Sequence, residues 1–99
     1  MNTLAQTPTA ADRTLLIVED DRLFLQRLAR AMETRGFSVR TAETVSEGLQ
    51  QVEASAPAFA VVDMRLGDGN GLDVISAMKS AARRRGPSFS PVTAISRRP

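Results

Sequence analysis

Residues 15–21 read Leu15-Leu16-Ile17-Val18-Glu19-Asp20-Asp21, and residues 59–63 read Phe59-Ala60-Val61-Val62-Asp63. Each is a short apolar run that ends in acid. A run of four or five residues rich in Val and Ile reads as a strand buried on both faces, as in a parallel sheet. Carboxylates at the C-terminal ends of such strands converge in the crevice where open α/β sheets bind ligands. Four carboxylates in one crevice repel one another and are costly to leave unpaired. A divalent cation relieves that repulsion. Hard oxygen ligands with an open position suit Mg²⁺, which is usually held by one or two carboxylates plus a phosphate. The helix dipole by itself explains an acid at Asp21, where a helix begins. It does not explain an acid still on the strand.

Outward from these runs the chain alternates strand and helix. Thr14–Val18 is the first strand and Asp21 the N-cap of the helix that follows. Phe24, Leu28, Ala31 and Met32 recur at helical spacing as its buried face. Gly36 is a helix stop. Residues 37–42 alternate apolar and polar and read as a half-exposed strand. Thr44-Val45-Ser46-Glu47 is a capping box, followed by an apolar stripe of Val45, Leu49, Val52 and Ala56. Pro57 ends that helix, and residues 58–63 form the third strand. Residues 64–70 make a loop with Gly67 and Gly69. Asn70 caps a third helix, with Leu72, Ile75 and Met78 as its inner face. This order implies right-handed crossovers and a parallel α/β sheet. Residues 1–13 are small and polar and read as a disordered lead-in. Residues 80–99 hold three prolines and an Arg triplet and read as an irregular tail. The domain reading is therefore a lead-in at 1–13, a folded body at 14–79 and a tail at 80–99.

Composition narrows the function. The 99 residues make one small domain at most, and 42% of them are hydrophobic. There is no Cys and no His, which excludes disulfides, thiolate metal sites and a histidine general base. No apolar run approaches the about 18 residues of a membrane span, and no signal peptide opens the chain, so a cytoplasmic location is expected. The net charge of +2 hides a division: residues 1–79 are net acidic, and all the excess base is Arg83, Arg84, Arg85, Arg97 and Arg98. An acidic domain with a short arginine tail is a weak nucleic-acid candidate. The glycine-rich stretch 67–71 is no calcium loop, because its first and twelfth positions would be Leu66 and Ala77. Neither a phosphate-binding P-loop nor a dinucleotide fingerprint is present.

LLIVEDD at 15–21 and VVDMRLGDGNGLDVI at 61–75 together resemble the receiver domain of two-component response regulators. The wording of 23–37 and 60–75 is similar to the RegA/PrrA/ActR group of redox-responsive regulators. The resemblance covers residues 14–79. It implies a parallel βαβ, three-layer, flavodoxin-like receiver fold, here incomplete. It implies that Asp63 is the phosphoacceptor, taking a phosphoryl group from a sensor histidine kinase. It also implies a Mg²⁺ site made by Asp20 directly, Glu19 through water, Asp63, and the backbone carbonyl of Arg65. The role it implies is phosphorelay signalling in a family that regulates transcription, rather than turnover of a substrate. The first helix, beside the site, would be the kinase-docking surface.

The resemblance has a boundary. The family's fourth strand ends in Ser or Thr and its fifth in Lys. Lys79, the single lysine, lies on the third helix. Thr93 is only a superficial match for the hydroxyl. The family's C-terminal DNA-binding helix-turn-helix has no counterpart here, and no direct nucleic-acid binding is expected. Regrouping the codons of Gly86–Arg97 by one base can encode Ala-Ile-Val-Leu-Thr-Gly-Tyr-Gly-Asn-Ile-Ala, an apolar strand ending in Thr. The chain from about residue 80 therefore reads as a truncated regulator carrying out-of-frame sequence. Loss of the last two strands would leave one edge of the third strand uncovered and the domain marginally stable. The alternative function is an interaction module that binds the kinase through its first helix without relaying phosphate. A homodimer is compatible with either reading.

Overall fold

The computed structural model describes residues 12–96. Its elements are β1 (Thr14–Val18), α1 (Arg22–Thr34), β2 (Ser38–Ala42), α2 (Val45–Ala54), β3 (Phe59–Asp63), the short β4 (Arg65–Leu66) and β5 (Gly69–Asn70), α3 (Leu72–Arg85) and β6 (Val92–Ser96). The main sheet has the order β2-β1-β3-β6, and each neighbouring pair is parallel. β4 and β5 form a separate antiparallel hairpin. This is the α/β class the sequence implies, with β1 and β3 side by side so that their acidic ends share one edge.

Side chains alternate across the sheet as a period of two requires. Leu16, Val18, Ala60 and Val62 face α2 and α3, where they meet Val45, Val52, Val74, Ile75, Met78 and Ala81. Leu15 and Ile17 face the other way, onto Leu25 of α1, with Leu28, Ala29, Met32, Phe37, Phe59 and Val61 around them. The buried stripe of α1 is thus Leu25, Leu28, Ala29 and Met32, rotated from the expected one. Leu25 is its buried centre, and Phe24 is half-buried. On α3 the buried residues are Val74, Ile75, Met78, Ala81 and Ala82; Leu72, expected inside, is 45% exposed.

Helix ends follow local chemistry. The Asp21 carboxylate accepts from the Phe24 N–H at 3.1 Å, as an N-cap does. Gly36 sits at φ +94°. Gly36 N–H donates to the Glu33 carbonyl and Phe37 N–H to the Met32 carbonyl, the paired bonds of a Schellman ending. At α2, Thr44 Oγ1 accepts from Glu47 N–H at 3.0 Å, while the Glu47 carboxylate reaches the Glu43 N–H at 2.7 Å, one residue before the position a capping box uses. Gly48 lets α2 lie close on the sheet: a Cβ there would come within 3.1 Å of Val18 Cγ2 and 3.2 Å of Val74 Cγ2.

The C-terminal fifth differs from the expected irregular tail. α3 runs on through Arg85, and Gly86 at φ +112° ends it. Arg85 then holds the turn that follows. Its guanidinium stacks 3.9 Å over the Phe89 ring, pairs with Asp12 at 3.6 Å and donates to the Ala56 carbonyl. Val92 N–H donates to the Ala58 carbonyl at 2.9 Å, and from there β6 pairs with the whole of β3, Phe59↔Val92 through Asp63↔Ser96. β3's edge, expected to be bare, is covered. The free backbone edge of the sheet moves out to β6. At the other end, Arg13 stacks over Phe37 at 4.2 Å and its carbonyl accepts from Ser38 N–H, so Asp12 and Arg13 belong to the fold rather than to the lead-in. The rest of the lead-in, residues 1–11, lies outside the described residues, as do 97–99.

Candidate functional site

Glu19, Asp20 and Asp63 each offer a carboxylate oxygen, and these three atoms lie within 4.8 Å of one another. The juxtaposition comes from the sheet. Val18 and Val62 are register partners, so the next residue of each strand emerges at the same edge. Glu19 N–H continues the ladder to the Ala42 carbonyl at 2.9 Å. Its side chain is 1% exposed, and Asp63 is 9% exposed; Asp20 is open to solvent. Asp21 does not join them, because its carboxylate is turned to the N-terminus of α1. The expected four-acid cluster is therefore three acids and a cap.

The two buried carboxylates are oriented by backbone amides. Glu19 Oε2 accepts from Asp21 N–H at 3.0 Å, and Asp63 Oδ1 accepts from Arg65 N–H at 3.2 Å. Arg65 pairs with Asn70 in the β4–β5 hairpin, so the loop beyond Asp63 is folded against it. Gly71 closes that loop. Its N–H donates to the Met64 carbonyl at 3.1 Å, and a Cβ on it would overlap the Asp63 carbonyl oxygen and press Val62 Cγ1 at 2.7 Å. Asn70 Oδ1 accepts from Leu72 N–H at 2.8 Å and so supplies the cap expected of it, though Gly71 is the residue at the helix boundary.

The same loop is tied to α2. Asp68 accepts from Val45 N–H at 2.8 Å and from Ser46 N–H at 3.0 Å, which occupies two helix donors at once. These amide bonds hold the Asp68 carboxyl below the ordinary aspartate value of 3.8. A depressed folded-state pKa contributes stability that is present above the unfolded value and lost as pH falls through the folded one. Asp68→Asn should therefore lower the melting temperature at pH 7, and the gap to the parent chain should close as pH falls below 3.8. Thermal melts of both chains across that range check this.

β6 brings one residue to the site that its sequence did not announce. Ser96 is the register partner of Asp63, and its carbonyl accepts from Met64 N–H at 3.3 Å. Thr93 lies three residues back, opposite Ala60. The available signal was the β-branched run Val92-Thr93-Ala94-Ile95 after Pro91. Lys79 is exposed on α3 and takes no part in the cluster.

Three carboxylates, two of them buried, with no nitrogen or sulfur ligand, form a donor set for a hard divalent cation such as Mg²⁺ or Ca²⁺. Among the described residues no helix is long and apolar enough to cross a membrane.

Comparison with known proteins bears on the family and the fold. The family model for the response regulator receiver domain matches residues 15–98. The chain is 59% identical over 68 residues to the acid tolerance regulatory protein ActR of Sinorhizobium medicae, covering 69% of this chain and 35% of that protein. It is 59% identical over 69 residues to the photosynthetic apparatus regulatory protein RegA of Rhodobacter capsulatus, covering 70% and 38%. The chain thus spans little more than a third of the length of these relatives. Among solved structures it resembles a response regulator from Burkholderia pseudomallei with a phosphorylated aspartic acid, calcium ion and citrate. That match has TM-score 0.70 and 30% identity over 85% of this chain and 47% of the other. The non-phosphorylated HemR receiver domain of Leptospira biflexa matches with TM-score 0.67 and 27% identity over 83% and 63%. With its paired acidic strand ends on a parallel sheet, the chain belongs to the response regulator receiver domain family, within the RegA/PrrA/ActR group.

Proposed function

We propose that this chain accepts a phosphoryl group on Asp63 from a sensor histidine kinase, as part of a two-component system that regulates transcription. The observation that carries the proposal is the convergence of Glu19, Asp20 and Asp63 within 4.8 Å. An Asp63 oxygen attacks phosphorus in line, the P–N bond of the phosphohistidine breaks, and its electron pair stays on the imidazole. Asp63 is held for this by the Arg65 amide. Asp20, Asp63 and the Arg65 carbonyl would hold Mg²⁺ directly and Glu19 through water. When bound, the ion would neutralise charge on the transferring group, which is most of what phosphoryl transfer requires of a protein. Ser96, the register partner of Asp63 at the end of β6, would offer its hydroxyl to the phosphoryl oxygens.

The expected result is labelling by a phosphorylated kinase or a small acyl phosphate donor that requires Mg²⁺ and is abolished in Asp63→Asn. Labelling that persists in Asp63→Asn would overturn the assignment. Two observations favour a second reading, kinase binding through α1 without relay. Lys79 lies outside the site, and Leu23 on the first turn of α1 is 58% exposed. Kinase capture that is equal for the parent chain and Asp63→Asn, with neither labelled, would select it. We also propose that the codons from about residue 80 are read out of frame; sequencing the gene and its transcript from the Lys79 codon decides this.

A further inference from the structure

The β4–β5 hairpin carries the Arg65 side of the acidic cluster. Arg65 N–H donates to Asp63 Oδ1 at 3.2 Å, and Arg65 pairs with Asn70 across the hairpin. With two residues in each strand, such a hairpin is marginal by itself in water. Leu66 anchors its base, buried in the same core as Val45. Asp68 anchors its turn. The Asp68 carboxylate accepts from Val45 N–H at 2.8 Å and from Ser46 N–H at 3.0 Å. The backbone follows it, for a Cβ on Gly69 would lie 3.5 Å from Val45 Cγ2. On the other side of Asp68 the turn is open, since a Cβ on Gly67 would meet nothing within 4 Å. Charge-assisted bonds are roughly twice as strong as neutral ones, and two of them to one helix end fix orientation as well as distance.

We propose that Asp68 is a positioning residue for the phosphoacceptor site: by docking the hairpin on α2 it holds Arg65, and through Arg65 the Asp63 carboxylate. The inference rests on the reading of Asp63 as phosphoacceptor and of the Arg65 carbonyl as a Mg²⁺ ligand. Asp68 is not one of the three clustered acids and acts only through the loop. α2 is a firm base for it. Gly48 lets that helix lie against Val18, the residue before Glu19. The ends of β1 and β3 are thus both referred to one helix, β1 through the Gly48 contact and β3 through Asp68. The two side-chain caps of α2 have different reach. Thr44 Oγ1 accepts from Glu47 N–H at 3.0 Å, a bond within the helix end. Asp68 joins the same helix end to the hairpin, as a supporting group behind a metal site orients its ligands.

Asp68→Ala and Thr44→Ala, made in the full chain, each remove one cap of α2, and only the first releases the hairpin. The first readout is amide hydrogen exchange without added Mg²⁺. The Arg65 and Gly71 amides hold the loop through Asp63 and Met64. They should exchange about tenfold faster than in the parent for Asp68→Ala, and within about twofold of it for Thr44→Ala. The second is Mg²⁺ affinity by titration calorimetry, which should fall about tenfold in Asp68→Ala and stay within about twofold in Thr44→Ala. Should Asp68→Ala fail to fold by circular dichroism, Asp68→Asn, which keeps one acceptor oxygen, carries the same comparison. Either readout alike in the two variants overturns the positioning role and leaves the phosphoacceptor reading standing. A parent chain that neither binds Mg²⁺ nor is labelled by a small acyl phosphate overturns the phosphoacceptor reading, and the positioning role falls with it.

Discussion

Replacing Gly71 by alanine is expected to destabilise the chain by about 3 kcal/mol and, under the proposed function, to remove phosphoryl acceptance. The reason is the place of the new methyl group. It would overlap the carbonyl oxygen of Asp63 and crowd Val62 Cγ1. The first of these is backbone, with no rotamer to yield. Either the end of β3 shifts or the turn into α3 opens, and both carry the Asp63 carboxylate away from Glu19 and Asp20. The dihedrals of Gly71, φ −58° and ψ −21°, suit any residue, so the cost is one of space alone. Gly67 in the same loop is the control, since a Cβ there meets nothing within 4 Å. Gly67→Ala should change stability by less than about 0.5 kcal/mol. Urea unfolding of the two variants, with labelling by a phosphodonor, checks both halves of the expectation.

The second large effect is Leu16→Ala. Leu16 is 0% exposed in the middle of β1 and belongs to the core that α2 and α3 cover. Truncating a buried leucine removes its transfer free energy and leaves a cavity, at a combined cost of about 2–5 kcal/mol. For a chain of this size, whose whole stability is on the order of 5–15 kcal/mol, that is enough to populate the unfolded state. Leu23, also leucine but 58% exposed on α1, should lose little on the same change. Thermal melts of Leu16→Ala and Leu23→Ala separate burial from residue type. Equal melting temperatures would mean that β1 is not the centre of the core.

The two strands whose ends form the site were legible because burial on both faces leaves an unbroken apolar run, and an acid after such a run has few structural explanations. The caps at Asp21, Thr44 and Asn70 and the stop at Gly36 were legible because they depend on contacts within four residues. Buried faces of helices were less so. On α1, Phe24 and Leu25 are both apolar neighbours, and only the direction from which β1 approaches selects Leu25 as the centre. On α3, Leu72 is apolar but opens the helix and stays 45% exposed.

What the sequence by itself determined is the parallel α/β order and the identity of the acids, both fixed by short-range patterns. Only the tertiary structure decided two things. Asp68 caps α2 from 23 residues away, through bonds that no local spacing encodes. The stretch Val92–Ser96, with prolines and arginines before it, becomes a strand. Its Val, Thr and Ile favour an extended chain, but a five-residue run gives no partner; the edge of β3 offers backbone groups, and pairing with them makes the extended conformation worth adopting. That non-local pairing is what sets Ser96 beside Asp63.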